Sequence, residues 1–359
     1  MTSGSGPRTA HNGNASSSAV GPPVGRPTAM NDEHRFPRLL GHITAGCARF
    51  GMLLEPGGPL RAVTRYRCAE HPTLWDALAR YLSEHAPAAP REAALGVTCE
   101  VSGDRVTPQH AAWAFSIARL KQRLGVQRLR VLNDFSALAH SLPALGRAEL
   151  RRDGGGLEVN GATMALLCPA AGLRVGGLLP PAVLVGEGGQ VTLSSFDRDE
   201  MAVLQWLHRS FDHVSAERVL SAPGLENLHQ AVCALGGWRR DSLSPKQVVE
   251  LALANSDPAC VSALAMFCSL LGNVAGNLAL TLGARGGLFI GGDIVPGLGE
   301  AFARSKFRER FEAKGKFSNY LNAVPTFVVH ADVTPALVGA SRALDLPLAR
   351  EAAEAAVAH

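Results

Sequence analysis

The chain has little net charge, no Cys-x-x-Cys pair and no apolar leader. Its 35 Lys and Arg against 31 Asp and Glu leave a charge of +4 over 359 residues, too small and too scattered to indicate a nucleic-acid surface. The seven cysteines are odd in number and lack Cys-x-x-Cys spacing. They indicate neither a zinc site nor a disulfide framework, and they fit reduced thiols in a cytoplasmic protein. The opening MTSGSGPRTA has no apolar core, so no secretory signal is expected. Between Glu158 and Glu187 the only charge is Arg174, yet Pro169, Pro180, Pro181 and several glycines divide the stretch into strands and turns rather than a membrane helix. No repeat of solenoid period occurs. What is present is 47% hydrophobic and 18% charged residues, the balance of a folded chain with a sizeable core. That excludes collagen-like or disulfide-rich scaffolds and extensive disorder. At about 150 residues per domain the length suggests two domains.

Residues 1–35 are rich in Gly, Ser, Pro, Asn and Ala without apolar periodicity and read as a disordered tail. From Phe36, RLLGHITAGCARFGMLL reads as two strands around a small-residue turn, and Val63–Arg67 as a third. Leu74, Leu78 and Leu82 stack at four-residue spacing on an amphipathic helix. AALGVTCEV is a buried strand, AWAFSIARLKQRLG a helix, and RLRVLNDF a strand ending in polar residues. This alternation predicts a small α/β domain over residues 36–144. A large α/β domain is expected over 145–334, beginning with the strands MALLCPAAGLRVGGLL and PAVLVGEGGQVTL. Ser244, Pro245 and Gln247 form a capping box, and Asp257-Pro258 opens a long helix that Gly283 should end. Met201, Trp206 and Leu207 read as core at helical spacing. A last helix, about 335–350, carries too little core to stand alone and is expected to complete the small domain.

Three segments could carry chemistry. Asn133-Asp134 closes a strand, where ligands of open α/β sheets bind and a carboxylate can act as a general base, or it is an ordinary turn pair. Gly186-Glu187-Gly188-Gly189-Gln190 is a tight glycine turn, either a connector or a loop whose Glu187 and Gln190 hydrogen-bond a polyol. In HVSAERVLSAPGLENL, Glu217 either points into a cleft or sits in the first turn of a helix, where the macrodipole favours it. His213 reads as a surface or capping residue.

These segments fall in one order with LG, ARF, WAFSI, NLALTLG, IVP and FEAKGKF. Together they resemble the bacterial ATP-dependent glucokinase family over about residues 38–345. The resemblance implies an α/β, actin-like ATPase (ribonuclease H-like) fold with two domains around a cleft. It also implies transfer of the ATP γ-phosphoryl group to glucose O6 with Mg²⁺, often in a homodimer. Asp134 matches the family's general base and Asn133 its sugar-binding neighbour. Glu187 and Glu217 match its two sugar-binding carboxylates, and Gln190 stands where the family has histidine.

The nucleotide motifs depart from the family pattern. Its first phosphate loop, G-D-x-G-G-T-N-x-R, is here Gly41-His42-Ile43-Thr44-Ala45-Gly46-Cys47-Ala48-Arg49. Its second, G-x-G-T-G-L-G, is Cys168-Pro169-Ala170-Ala171-Gly172-Leu173-Arg174, and its A-G-G-I-V-P is Gly291-Gly292-Asp293-Ile294-Val295-Pro296. The metal-organising Asp is thus His42, and no metal ligand can be assigned. The sugar half is nearly complete while all three nucleotide segments are altered. The expectation is weak or absent glucose phosphorylation. The alternative is a catalytically inactive hexose-binding protein, or a regulatory partner of an active paralogue.

Overall fold

The computed structural model describes residues 33–108, 111–238, 241–330 and 335–346. Most of the expected tail lies outside these residues. Its last three, Glu33–Arg35, form a 3-10 turn, and Arg35 Nε donates to Glu92 Oε1 at 2.9 Å. The folded part therefore includes part of that tail.

The first sheet contains β1 (Arg38–Ile43), β2 (Cys47–Leu53), β3 (Arg61–Arg67) and β4 (Glu92–Val97). A short ribbon of β5 (Arg105–Val106) and β6 (Phe115–Ser116) precedes its last strand, β7 (Arg128–Asn133). Its order is β3-β2-β1-β4-β7, with β1 to β3 antiparallel and β1, β4 and β7 parallel. The second sheet contains β8 (Leu150–Arg152), β9 (Met164–Pro169), β10 (Leu173–Leu179), β11 (Ala182–Gly186), β12 (Leu288–Ile290) and β13 (Thr326–Val329). Its order is β11-β10-β9-β12-β13-β8. Both sheets carry the same motif, an antiparallel meander followed by two parallel strands, and the second adds β8 at its edge. The stretch around Arg174 is thus β9–β11, as the prolines and glycines predict.

Side chains alternate across a strand, so each sheet has two packed faces. In the first, Leu39, Phe50 and Leu95 join Leu74, Leu78 and Tyr81 of α1 (Leu74–His85) and Leu120 and Leu124 of α2 (Ile117–Leu124). Thr73 starts α1 through a capping box with Asp76. Helix α2 begins later than the amphipathic pattern suggests. Phe115–Ser116 pairs in the ribbon, and the Ser116 hydroxyl accepts the Arg119 N–H as the cap. In the second sheet, Ala165, Leu167, Leu288 and Ile290 meet a helical layer. That layer comprises α4 (Arg198–Leu207), α5 (Ala222–Leu235), α6 (Pro245–Leu253), α7 (Pro258–Leu282), α8 (Ile294–Gly297), α9 (Glu300–Ala303), α10 (Phe307–Glu312) and α11 (Ser318–Ala323), joined in chain order after α3 (Asp134–Ser141) of the first unit. The Ser244–Gln247 capping box is present, and α7 runs from its Asp257 cap to Gly283, at φ 60°. Helix α7 is long and apolar enough to cross a membrane by length and composition, but most of it is buried inside the fold. On α4, Leu207 is core, Trp206 packs at its margin, and Met201 is exposed, because the buried face is set by Val203, Leu204 and Leu207.

Two helices fill the space between the sheets. Phe135 and Ala139 of α3 pack on Leu166, Cys168 and Phe289 of the second sheet. Leu337, Ala340 and Leu344 of α12 (Pro335–Leu344) pack on Leu40 and Ala94 of the first. The expected C-terminal helix therefore lies against β1, β4 and α3; its portion beyond residue 346 lies outside the described residues. At Gly339 the two helices touch so closely that a Cβ would lie 1.6 Å from Ala137 O. The C-terminal end of α12 is held by cations, which suit the negative end of a helix dipole. Arg128 Nη1 donates to Leu344 O at 2.7 Å, Arg130 to Ala343 O, and Arg38 Nη2 to Asp345 at 2.6 Å.

Candidate active site

Asp134 is the first residue of α3, at the carboxyl end of β7. Asn133 starts the helix there because its Oδ1 accepts the Phe135 N–H at 2.9 Å, and its Nδ2 donates to Cys99 O at 2.9 Å. The Asp134 carboxylate is heavily engaged. Oδ2 accepts the Thr98 hydroxyl at 3.1 Å, and Oδ1 accepts the Phe135 N–H at 2.8 Å. Arg174, on β10 of the other sheet, donates from Nη1 to Asp134 Oδ1 and from Nη2 to Asn133 Oδ1. Its guanidinium lies over the Phe135 ring, 5.2 Å from the centroid. Of the about four lone-pair positions of a carboxylate, three are therefore taken, one by a cation reaching across from the second sheet.

One residue before Arg174 the chain meets the second group of expected sugar residues. Leu173 N–H donates to Glu217 Oε2 at 2.9 Å, and Gln190 Nε2 donates to Glu217 Oε1 at 2.9 Å. Glu217 N–H donates to Gly189 O at 2.8 Å, fastening the two loops together. Gly189 has to be glycine here, since a Cβ would lie 2.1 Å from Leu173 O. Glu217 lies in turns ahead of α5, whose cap is Ser221, and not in a first helical turn. Glu187 joins the same region by a backbone bridge to Val175, with its side chain exposed. His213 is an exposed partner of Thr192 at 2.9 Å. The fold thus gathers Asn133, Asp134, Arg174, Gln190 and Glu217 through the consecutive residues Leu173 and Arg174, with the Glu187 backbone alongside. Sequence reasoning missed Thr98, although it follows β4 at a carboxyl strand end just as Asp134 follows β7. It also did not place Arg174 on the carboxylate.

The altered segments lie at the β1–β2 turn, at the β9–β10 turn that also carries Leu173 and Arg174, and after β12. Gly41 and His42 lie on β1, and the turn after them closes on itself: Thr44 N–H and Oγ1 both donate to Cys47 O at 2.9 Å, and Gly46 O accepts the Cys68 N–H. Burial pushes the His42 imidazole below its ordinary value. Asp134 and Asp293 oppose that shift, Arg49 adds to it, and burial dominates. The neutral imidazole offers nitrogen at the position where the sequence resemblance implies a carboxylate for a hard cation. In the second loop Pro169 has no N–H, Ala170 N–H donates to Gly172 O at 2.8 Å, and Leu173 N–H is held by Glu217. Those groups cannot cradle phosphate oxygens, which requires free backbone amides. Gly292 keeps a left-handed φ of 81°, and the next residue, Asp293, adds negative charge. Pro169, Ala170 and Leu173 thus offer no free amide to a phosphate oxygen, and His42 offers no oxygen ligand to a metal ion.

The glucokinase family model matches residues 39–346. The chain belongs to the glucokinase family. It is 48% identical over 333 residues to the glucokinase of Aromatoleum aromaticum, covering 90% of this chain and 99% of that protein. It is 42% identical over 327 residues to that of Chromobacterium violaceum, covering 90% and 93%. Among solved structures, a glucokinase from an Antarctic psychrotroph matches with a TM-score of 0.81 and 30% identity, over 86% of this chain and 98% of that one. A ROK hexokinase from Thermus thermophilus matches with a TM-score of 0.61 at 15% identity, over 85% and 97%, and shares the fold alone. The repeated sheet order is thus that of the actin-like ATPase fold, as the sequence resemblance implied. In this chain Arg174 caps the Asp134 carboxylate, and Leu173 and Gln190 hold Glu217.

Proposed function

We propose that this glucokinase-like chain binds glucose or a closely related hexose in the cleft and phosphorylates it weakly or not at all. Glu187, Gln190, Glu217 and Asn133 hold the sugar hydroxyls. Asp134 faces the hydroxyl to be phosphorylated and, once Arg174 disengages, accepts its proton as a general base. Residues 36–144, completed by the C-terminal helix of about 335–350, and residues 145–334 act as two domains that close over the sugar. The protein works in the cytoplasm, as a homodimer or paired with an active paralogue.

The observation that carries this reading is the bond of Arg174 to both Asp134 and Asn133. The cation sits on the pair that should meet the sugar, while the loops on the nucleotide side have turned their amides inward. ATP and Mg²⁺ are the family's co-substrate and metal. Phosphoryl transfer depends on positioning and charge neutralisation, and a metal clamp alone supplies several kcal/mol. At about 1.4 kcal/mol per tenfold, losing the clamp and most of the cradle lowers the rate by several orders of magnitude.

The test is thermal unfolding with glucose and, separately, with MgATP. Glucose at a hundredfold excess over its Kd should stabilise the fold by about 2.7 kcal/mol, and MgATP should leave the transition in place. A nucleotide shift as large as the glucose shift contradicts the proposal, as does the absence of a glucose shift.

A further inference from the structure

Away from the cleft, α5 and the start of α7 bring together four side chains for which the hexose reading has no use. His229 and Cys233 are one turn apart on α5. Asp257 caps α7, and Cys260 lies in its first turn. The donor atoms of His229, Asp257 and Cys260 all lie within 4.8 Å of one another, and Cys233 Sγ is 3.5 Å from His229 Nε2. His229, Cys233 and Cys260 are buried, while Asp257 is partly open to solvent and offers a way in. Asp257 Oδ1 accepts the N–H groups of Ala259 at 2.8 Å and Cys260 at 3.2 Å, which fixes the orientation of its carboxylate.

We infer that His229, Asp257 and Cys260 hold a structural zinc ion that pins α5 to the start of α7, and that Cys233 turns its Sγ toward the ion as the fourth ligand. Two sulfurs, an imidazole and a carboxylate form a donor set suited to Zn²⁺. Binding replaces the two thiol protons by the metal and releases them to solvent. The sequence hides the site because its halves read His-x3-Cys and Asp-x2-Cys on separate helices, not Cys-x-x-Cys. The inference does not depend on the hexose reading.

The experiment uses the full chain, stripped of metal under reducing conditions and titrated with Co²⁺ as a spectroscopic probe and then with Zn²⁺. The expected result is one ion per chain, sulfur-to-cobalt charge-transfer absorption with tetrahedral d–d bands, displacement of Co²⁺ by Zn²⁺, and a Zn²⁺-dependent rise in Tm. Cys233→Ser and Cys260→Ser should each weaken binding at least tenfold and reduce the charge-transfer band. Asp257→Asn keeps the helix cap and should weaken binding without loss of the fold. Absence of stoichiometric binding to the wild-type chain overturns the inference. So does an octahedral cobalt spectrum, or binding that survives both serine substitutions.

Discussion

Replacing Arg174 by alanine should tighten hexose binding. A hydrogen bond to a charged group contributes about 1.5–3 kcal/mol when it is shielded from water. Here the side chains are 37% exposed at Arg174 and 22% at Asp134, so solvent screening reduces the contribution. The contacts to Asp134 and Asn133 together are then worth about 1–2 kcal/mol. A sugar hydroxyl that takes those acceptors must first displace the guanidinium, so its affinity is lowered by that amount. Removing Arg174 therefore raises glucose affinity about 5- to 30-fold, at 1.4 kcal/mol per tenfold. Isothermal titration of wild type and Arg174→Ala with glucose measures the change, with far-UV circular dichroism confirming the fold. Turnover with MgATP should stay low in the variant, because the closed phosphate loops are untouched. Unchanged or weaker glucose binding in Arg174→Ala would refute the idea that the arginine competes with the sugar.

Three further outcomes follow from the geometry. Glu217→Gln keeps an acceptor for Leu173 but removes the charge, and should lower glucose affinity by about tenfold or more in the same titration. Burial, with the charges of Arg130 and Arg342, lowers the His140 imidazole from 6.5 to about 4. Its neutral form is thus the folded form, so its contribution of about 3 kcal/mol is fully present above pH 6.5 and is lost as pH falls through 4. Urea unfolding across that window should show a flatter decline in His140→Leu. Gly339→Ala forces a methyl onto backbone atoms of α3 and should destabilise the fold by about 1–3 kcal/mol or more, read as a lowered urea midpoint.

Much of the architecture was legible because its signals are local. The Ser244 capping box, the Asp257-Pro258 start and the Gly283 stop are backbone hydrogen-bonding requirements that fall within a few residues of one another. The start of α2 was less legible, because Ser116 serves both the ribbon and the helix, and only pairing with Arg105 shows which use sets the boundary. Met201 is exposed because its helical spacing fits more than one face, and the face that packs is the one that meets α5. The candidate site followed a similar division. Asp134, Gln190 and Glu217 carry motifs, whereas Thr98 carries none and gains its place only when β4 lies beside β7. The reach of Arg174 across the cleft depends on how two sheets are set by α3 and α12, a relation that no single segment encodes.

On the proposed reading the hexose side of the cleft is kept, while closed loops and a capped Asp134 leave phosphoryl transfer weak or absent. The most direct measurement is steady-state glucose 6-phosphate formation at saturating glucose and MgATP. Turnover is expected at least about a thousandfold below the ~1–100 s⁻¹ usual for kinases. Turnover within tenfold of that range would contradict it.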